Sequence, residues 1–352
     1  MRAVRFYGPG DLRVEEVAEP RAGPGEVVVR VEVALTDGTD LKAYLRGHRL
    51  FRPPMAFGHE LVGTVVEVGA GVDRFTVGDR VVPANSAPCR RCFYCQRGRT
   101  SLCERLDERL NWGAYAELMR ITAPIVGQNM HRLPEGGGSG VSEEAFAATE
   151  PLACVVAGVD AAEVRSGDAA VVLGGTGAIG LLFVQLLRQA GVSPVIAVGR
   201  SAERLELARQ LGADLALPAD DRLGEKVGEA TGRRGADVVI EATGQPAVWE
   251  QAPALLRRGG TALMFGGCPS GTRFSLDTGR VHYDALTIRG VFHHTPATFE
   301  RAFGLIAAGR VRIDPLIGAR GGLADVEPLL KRMADREIVK AAIRPNDVRL
   351  SS

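Results

Sequence analysis

Apolar and polar positions fall into two textures that change near residue 167. Up to about residue 148, short β-branched runs alternate with Gly and Pro: residues 27–33, 61–68, and 80–82 after the turn at Gly78 and Asp79. Short runs bounded by turn residues predict an antiparallel, barrel-like domain. Beyond 167 the order becomes strand, glycine turn, helix, strand. Residues 169–173 lead through glycines into the apolar helical run 181–187, and a strand at 195–198 precedes an amphipathic helix at 204–211. Further strands are expected at 236–240, 261–265 and 286–288. Such alternation predicts parallel βαβ units in a doubly wound sheet. From about 290 the texture is mixed again, with a helix at 297–308. The fold class is therefore α/β, with a barrel domain at 1–148 and 290–352 and a parallel-sheet domain at 149–289.

A chain of 352 residues has the length of two domains. Its 43 basic and 42 acidic side chains leave it near neutrality, so neither a nucleic-acid footprint nor a polybasic membrane patch is expected. Lysine occurs only at 42, 226, 331 and 340, and arginine carries nearly all the positive charge. The amino terminus has no signal-peptide pattern, and no run approaches the roughly 20 apolar residues of a membrane helix. A cytoplasmic protein is expected, a setting in which clustered cysteines hold metal more often than they form disulfides. The short glycine tract at 136–140 reads as a loop.

Four of the six cysteines, Cys89, Cys92, Cys95 and Cys103, form a C-x2-C-x2-C-x7-C cluster. Four thiolates can close a tetrahedral shell around zinc, which leaves no substrate position and implies a structural site. An iron–sulfur cluster is the rival and four reduced thiols the plain alternative. Cys154 and Cys268 are expected to be small buried residues without metal. A second motif, Gly175-Thr176-Gly177-Ala178-Ile179-Gly180, follows a predicted strand and opens a predicted helix. Glycines there allow a tight turn and let backbone amides approach a pyrophosphate. At the end of the next strand an NAD site usually carries Asp or Glu for the ribose hydroxyls. Here stand Gly199, Arg200 and Ser201, with Arg204 one turn on. Loss of the carboxylate and gain of guanidinium favour the 2′-phosphate of NADP, with NAD the alternative.

Taken with Gly58-His59-Glu60, Gly63, Gly69 and Val72, and with Glu150-Pro151-Leu152, the chain resembles the zinc-containing medium-chain dehydrogenases, in their glucose, polyol and threonine branch. The resemblance implies a GroES-like catalytic domain beside a Rossmann domain. It implies a catalytic zinc on His59, with Glu60 and Glu150 as direct or water-mediated ligands. The family's usual first ligand is the cysteine of a Cys-Gly-Thr-Asp segment, which here reads Asp37-Gly38-Thr39-Asp40. Forms of glucose dehydrogenase in the family share that replacement. An oxygen and nitrogen shell is harder than a thiolate one, holds zinc less tightly and admits other divalent ions. Thr39 would take the substrate proton and pass it toward Lys42. Asn85, Glu117 and His293 are the implied substrate contacts, although the region around Glu117 is short for a glucose enzyme.

The expected activity is NADP-preferring oxidation of a sugar or polyol hydroxyl, an aldose at its anomeric hydroxyl being the leading case. Threonine or secondary-alcohol dehydrogenation is the runner-up. A metal-free quinone or enone reductase and a nonenzymatic NADPH-binding protein are the other classes. The resemblance also implies a homodimer or homotetramer.

Overall fold

A computed structural model describes residues 1–134 and 140–347. Most of the glycine tract at 136–140 lies outside the described residues, as do residues 348–352. The chain divides into two compact units, residues 1–153 with the segment from His294 onward, and Cys154–His293. Among the described residues no helix is long and apolar enough to cross a membrane.

The first unit is organised by strand Val27–Leu35. Its valines are buried at 27, 28, 29, 31 and 33, while Arg30 is exposed. Rows of β-branched side chains with both faces covered suit a central strand. This strand pairs antiparallel with Glu60–Val68, Leu118–Ile121 and Lys340–Ile343. The sheet continues through Arg80–Pro83 to Met130–Arg132 on one side. On the other, Ile317–Gly321 pairs with Lys340–Ile343 in parallel. The carboxyl-terminal segment thus supplies two strands to a sheet begun near residue 27. Its helix Pro296–Ala307 starts at the capping box of Thr295 and Thr298, one residue before the expected start.

The second unit is a six-stranded parallel sheet. In space the order is Leu215–Pro218, Val195–Gly199, Ala170–Leu173, Ala236–Glu241, Leu256–Met264, Thr287–Gly290. Numbered along the chain this is 3-2-1-4-5-6, the Rossmann order, with its switch point between the first and fourth strands. Helix Ala178–Gln189 follows the first strand and Ala202–Gln210 the second. The edge strand Leu215–Pro218 has no counterpart in the expectations. It is four residues long, ends in proline and exposes Leu215, so no periodicity develops. Strand Leu256–Met264 begins five residues before its expected start because pairing of Leu256 with Ala236 recruits the polar Arg257 and Arg258.

Cys154 and Cys268 are half-buried, not buried. Cys154 lies on helix Thr149–Ala162, and Cys268 lies in irregular chain beyond strand Leu256–Met264.

The turn between Ala170–Leu173 and its helix is tightly packed. A Cβ at Gly180 would stand 2.2 Å from the Gly174 carbonyl oxygen, and one at Gly175 would stand 2.9 Å from Ala197 Cα. Both obstacles are backbone, which cannot move aside cheaply. Gly180→Ala should therefore cost about 1–3 kcal/mol of stability through overpacking and weaken dinucleotide binding. Thermal melting together with cofactor titration checks this, and an unchanged melting temperature would contradict it.

Candidate functional site

In the first unit the chain gathers four buried carboxylates around His59. Asp37 caps helix Gly38–Arg46, accepting hydrogen bonds from the backbone N–H groups of Gly38 and Thr39. Gly58, at φ +83°, lets the backbone pass over the Tyr115 ring, which a Cβ would meet at 2.8 Å. His59 and Glu60 follow at the start of strand Glu60–Val68. The His59 ring presents Nε2 to Asp37 Oδ2 at 3.4 Å and to Glu150 Oε2 at 4.0 Å, and Nδ1 to Asp40 Oδ1 at 3.4 Å. Tyr115 donates its hydroxyl to Asp40 Oδ2, and the Leu35 carbonyl oxygen lies 3.0 Å from the same hydroxyl. Asp40 is thereby fixed behind the imidazole, where a carboxylate orients a ligating histidine. The edge of Trp112 closes over His59, with ring centroids 5.1 Å apart.

Two further links complete the group. Both oxygens of Glu60 lie within 3.0 Å of Lys340 Nζ, and the pair is almost wholly buried. His294 Nε2 donates to Asn85 Oδ1 at 2.9 Å and lies 3.7 Å from Glu150 Oε1. Donation is the only sense open here, because an amide oxygen can only accept.

Burial alone would lower the His59 pKa, but the facing Asp37 and Asp40 carboxylates, with the charge of Glu150, outweigh it and hold it well above 6.5. Burial would raise Asp37, yet its hydrogen bond and ion pairing with His59 keep its carboxyl well below the usual range. Burial would likewise depress Lys340, and the Glu60 charge more than reverses this. Asp37, His59 and Glu60 offer ligand atoms within 4.8 Å of one another. This donor set of carboxylate oxygen and imidazole nitrogen, with excess negative charge, fits a divalent metal ion.

Of the other expected site residues, Thr39 and Lys42 lie on helix Gly38–Arg46 with Asp37 at its start, and Asn85 joins the group through His294. Glu117 is not gathered there. It accepts from the Arg2 backbone N–H and pairs with the Arg2 guanidinium. His293 belongs to the other unit, with a ring nitrogen within 4.8 Å of the Cys154 thiol. Its neighbour His294 meets Asn85. Asp40, Tyr115, His294 and Lys340 escaped the sequence reading. Asp40 stood in the Asp37-Gly38-Thr39-Asp40 segment, and Lys340 carried a signal as a lysine set in a short strand whose other residues are all apolar.

The four cysteines of the loop also converge, their sulfurs within 4.8 Å of one another. The Cys92 amide donates to Cys89 Sγ and the Cys89 amide to Cys103 Sγ, each at 3.3 Å. The backbone amide of Arg91, followed by that of Cys92, lowers the Cys89 thiol pKa to about 6. Amides aimed at sulfur favour the thiolate, the form that binds metal, at Cys89 and Cys92, whereas burial pushes the Cys95 thiol up to about 12. Four convergent cysteine sulfurs fit a closed zinc shell.

In the second unit, the turn from Gly175 to Gly180 joins strand Ala170–Leu173 to helix Ala178–Gln189, whose N-cap is Gly177. Gly199 ends the neighbouring strand and Arg200 is exposed beyond it. Ser201 caps the next helix by accepting from the Arg204 backbone N–H.

Residues 23–134 match the family model for the alcohol dehydrogenase GroES-like domain, and 178–308 that for the zinc-binding dehydrogenase. The chain is 32% identical to the erythritol/L-threitol dehydrogenase of Mycolicibacterium smegmatis, over 98% of each chain. It is 31% identical to the L-threonine 3-dehydrogenase of Pyrococcus furiosus, over 86% of each. A solved zinc-binding dehydrogenase from Sinorhizobium meliloti 1021, bound to NADP, superposes with a TM-score of 0.88 at 32% identity, covering 98% of this chain and 99% of that one.

Removing one partner of a buried ion pair strands the other charge, at about 3–5 kcal/mol. Lys340→Met should therefore lower the thermal stability sharply, and adding Glu60→Gln should restore most of the loss. Melting curves of the two variants test this, and a single variant no less stable than the double would refute it.

Proposed function

Because the chain belongs to the zinc-containing medium-chain alcohol dehydrogenase family, we propose that it is an NADP-preferring oxidoreductase acting on a hydroxyl of a sugar or polyol. The carrying observation is the buried group of Asp37, His59, Glu60 and Glu150, whose negative charge calls for a divalent cation. These four residues would hold a catalytic zinc, and Cys89, Cys92, Cys95 and Cys103 a structural one. Zinc, when bound, lowers the pKa of a substrate hydroxyl and stabilises the charge that develops on its oxygen. A nicotinamide cofactor, when bound, accepts the hydride.

The chain's own residues supply the rest. Asp40 keeps the His59 ring oriented with Nε2 toward the metal position. Thr39 accepts the substrate proton at its hydroxyl oxygen and passes it toward Lys42. His294 occupies the Asn85 carbonyl oxygen, which leaves the Asn85 amide nitrogen as the donor that meets a neighbouring substrate hydroxyl. A site built to pair hydroxyl groups discriminates strongly against analogues lacking them. The relative that acts on erythritol and L-threitol supports a polyhydroxylated substrate; an aldose oxidised to its lactone is the other member of that class. A second reading, threonine oxidation, has the support of the threonine dehydrogenase relative. It would need a cation for the amino acid's carboxylate, and Lys340 is already committed to Glu60. A metal-free enone reductase would leave the excess negative charge facing His59 without a metal ion.

For the cofactor, the NADP bound to the Sinorhizobium relative and the exposed Arg200 beside Gly199 support the 2′-phosphate form. Gly175, Thr176, Gly177, Ala178, Ile179 and Gly180 would cradle the pyrophosphate. Gly199, Arg200, Ser201 and Arg204 would surround the 2′-phosphate.

Elemental analysis of freshly purified protein should find zinc, and a chelator should strip the carboxylate site before the thiolate site, because the softer sulfur ligands hold zinc more tightly. Absence of zinc would end the metalloenzyme reading. Arg200→Ala should weaken NADPH binding by about tenfold, the value of one charge-assisted contact, and leave NADH binding nearly unchanged. A wild-type preference for NADH would defeat the cofactor assignment. Asn85→Ala should raise KM for a polyol at least about tenfold more than for a simple secondary alcohol, the size of one lost hydrogen bond. Equal effects on the two substrates would reduce Asn85 to its backbone role, in which its carbonyl accepts from the Asn111 N–H.

A further inference from the structure

We infer that Thr176 is a determinant of cofactor choice, because its side chain fills the volume that an acidic residue at position 199 would need; the inference rests on the NADP reading above. Gly199 closes strand Val195–Gly199 and is itself buried. A Cβ built on it would stand 2.3 Å from both Oγ1 and Cγ2 of Thr176 and 2.8 Å from its Cβ. Rotating the threonine about χ1 swings one branch away, but in every staggered rotamer at least one of the two heavy branches still fills a clashing position, and the Thr176 Cβ stays in place. The turn that carries Thr176 cannot retreat either. Gly175 N–H is bonded to the Val198 carbonyl at 2.9 Å and Gly177 N–H to the Gly174 carbonyl at 3.0 Å. The backbone at 175 already lies against Ala197, which a Cβ at Gly175 would strike at 2.9 Å.

Asp or Glu at this strand end is what grips the ribose hydroxyls of NAD. With Thr176 in position, no residue bearing a Cβ fits at 199, so the acidic clamp is excluded by shape before charge enters. Arg200 then stands exposed next to a strand end without a carboxylate to repel a phosphate. Thr176 acts as a specificity-determining residue, and its contribution is steric.

Charge and shape predict different outcomes for Gly199→Ala, which adds a methyl group and no charge. If charge alone mattered, the variant would behave as wild type. A steric lock predicts a lower melting temperature and weaker binding of both NADPH and NADH, by at least about tenfold, measured by fluorescence titration. Thr176→Gly with Gly199→Ala should return both affinities to within about threefold of Thr176→Gly alone. In the Thr176→Gly background, Gly199→Asp should move the NADPH to NADH preference toward NADH by about a hundredfold. The proposal is overturned if Gly199→Ala melts and binds like wild type, or if Gly199→Asp alone gains NADH affinity as fully as the double variant. Should wild-type protein prefer NADH, the NADP reading fails on that measurement. The coupling between Gly199→Ala and Thr176→Gly still decides the steric claim.

Discussion

Everything in the first unit answers to one constraint: several carboxylates are removed from water around a single imidazole. Burying an uncompensated carboxylate costs several kcal/mol, so each must find a partner or a cation. The fold provides partners from distant parts of the chain. Tyr115 comes from the segment before strand Leu118–Ile121, the Gly38 and Thr39 amides from a helix start, and Lys340 from the last strand. What remains after those pairings is the negative charge facing His59, and that residue of charge makes a metal ion the natural occupant.

The second unit works by a different means. Its glycine turn carries little charge, and its backbone and small side chains approach closely. Position 180 lies against a carbonyl, 175 against the adjacent strand, and 199 against Thr176. One unit is thus marked by electrostatic compensation, the other by close packing. These demands suit different architectures. Buried pairs need residues from many strands of a mixed sheet, whereas close approach needs the regular spacing of a parallel sheet at its switch point.

Much of this was legible in the residues. The valine-rich run at 27–33 and the alternation beyond 167 carried their periodicity openly, and the cysteine spacing announced a cluster that does converge. The edge strand Leu215–Pro218 was not legible because it is too short and too exposed for a pattern. Lys340 and His294 were missed for another reason. Their meaning lies in partners 280 and 209 positions away, and no local pattern encodes such pairings. His293 and His294 illustrate the limit closely, since the resemblance pointed to His293 while it is His294 that meets Asn85. At Gly199 the motif shows a missing carboxylate, whereas the threonine that occupies its room comes from the preceding turn and is brought there only by the fold.

The pairing of Glu60 with Lys340 also bears on the order in which the protein is made. The second unit is continuous, from Cys154 to His293, whereas the first is interrupted by it. During synthesis the acidic site is assembled from residues 37 to 150 long before its buried ammonium group leaves the ribosome. At about 5–20 residues per second, the 280 residues between the two correspond to roughly 15–60 seconds of translation. Throughout that interval the nascent first unit carries an acidic cluster without its internal counter-ion and a central sheet lacking its carboxyl-terminal strands. The inserted unit can complete its fold first, and the last strand to emerge both closes the sheet and brings Glu60 its ammonium partner.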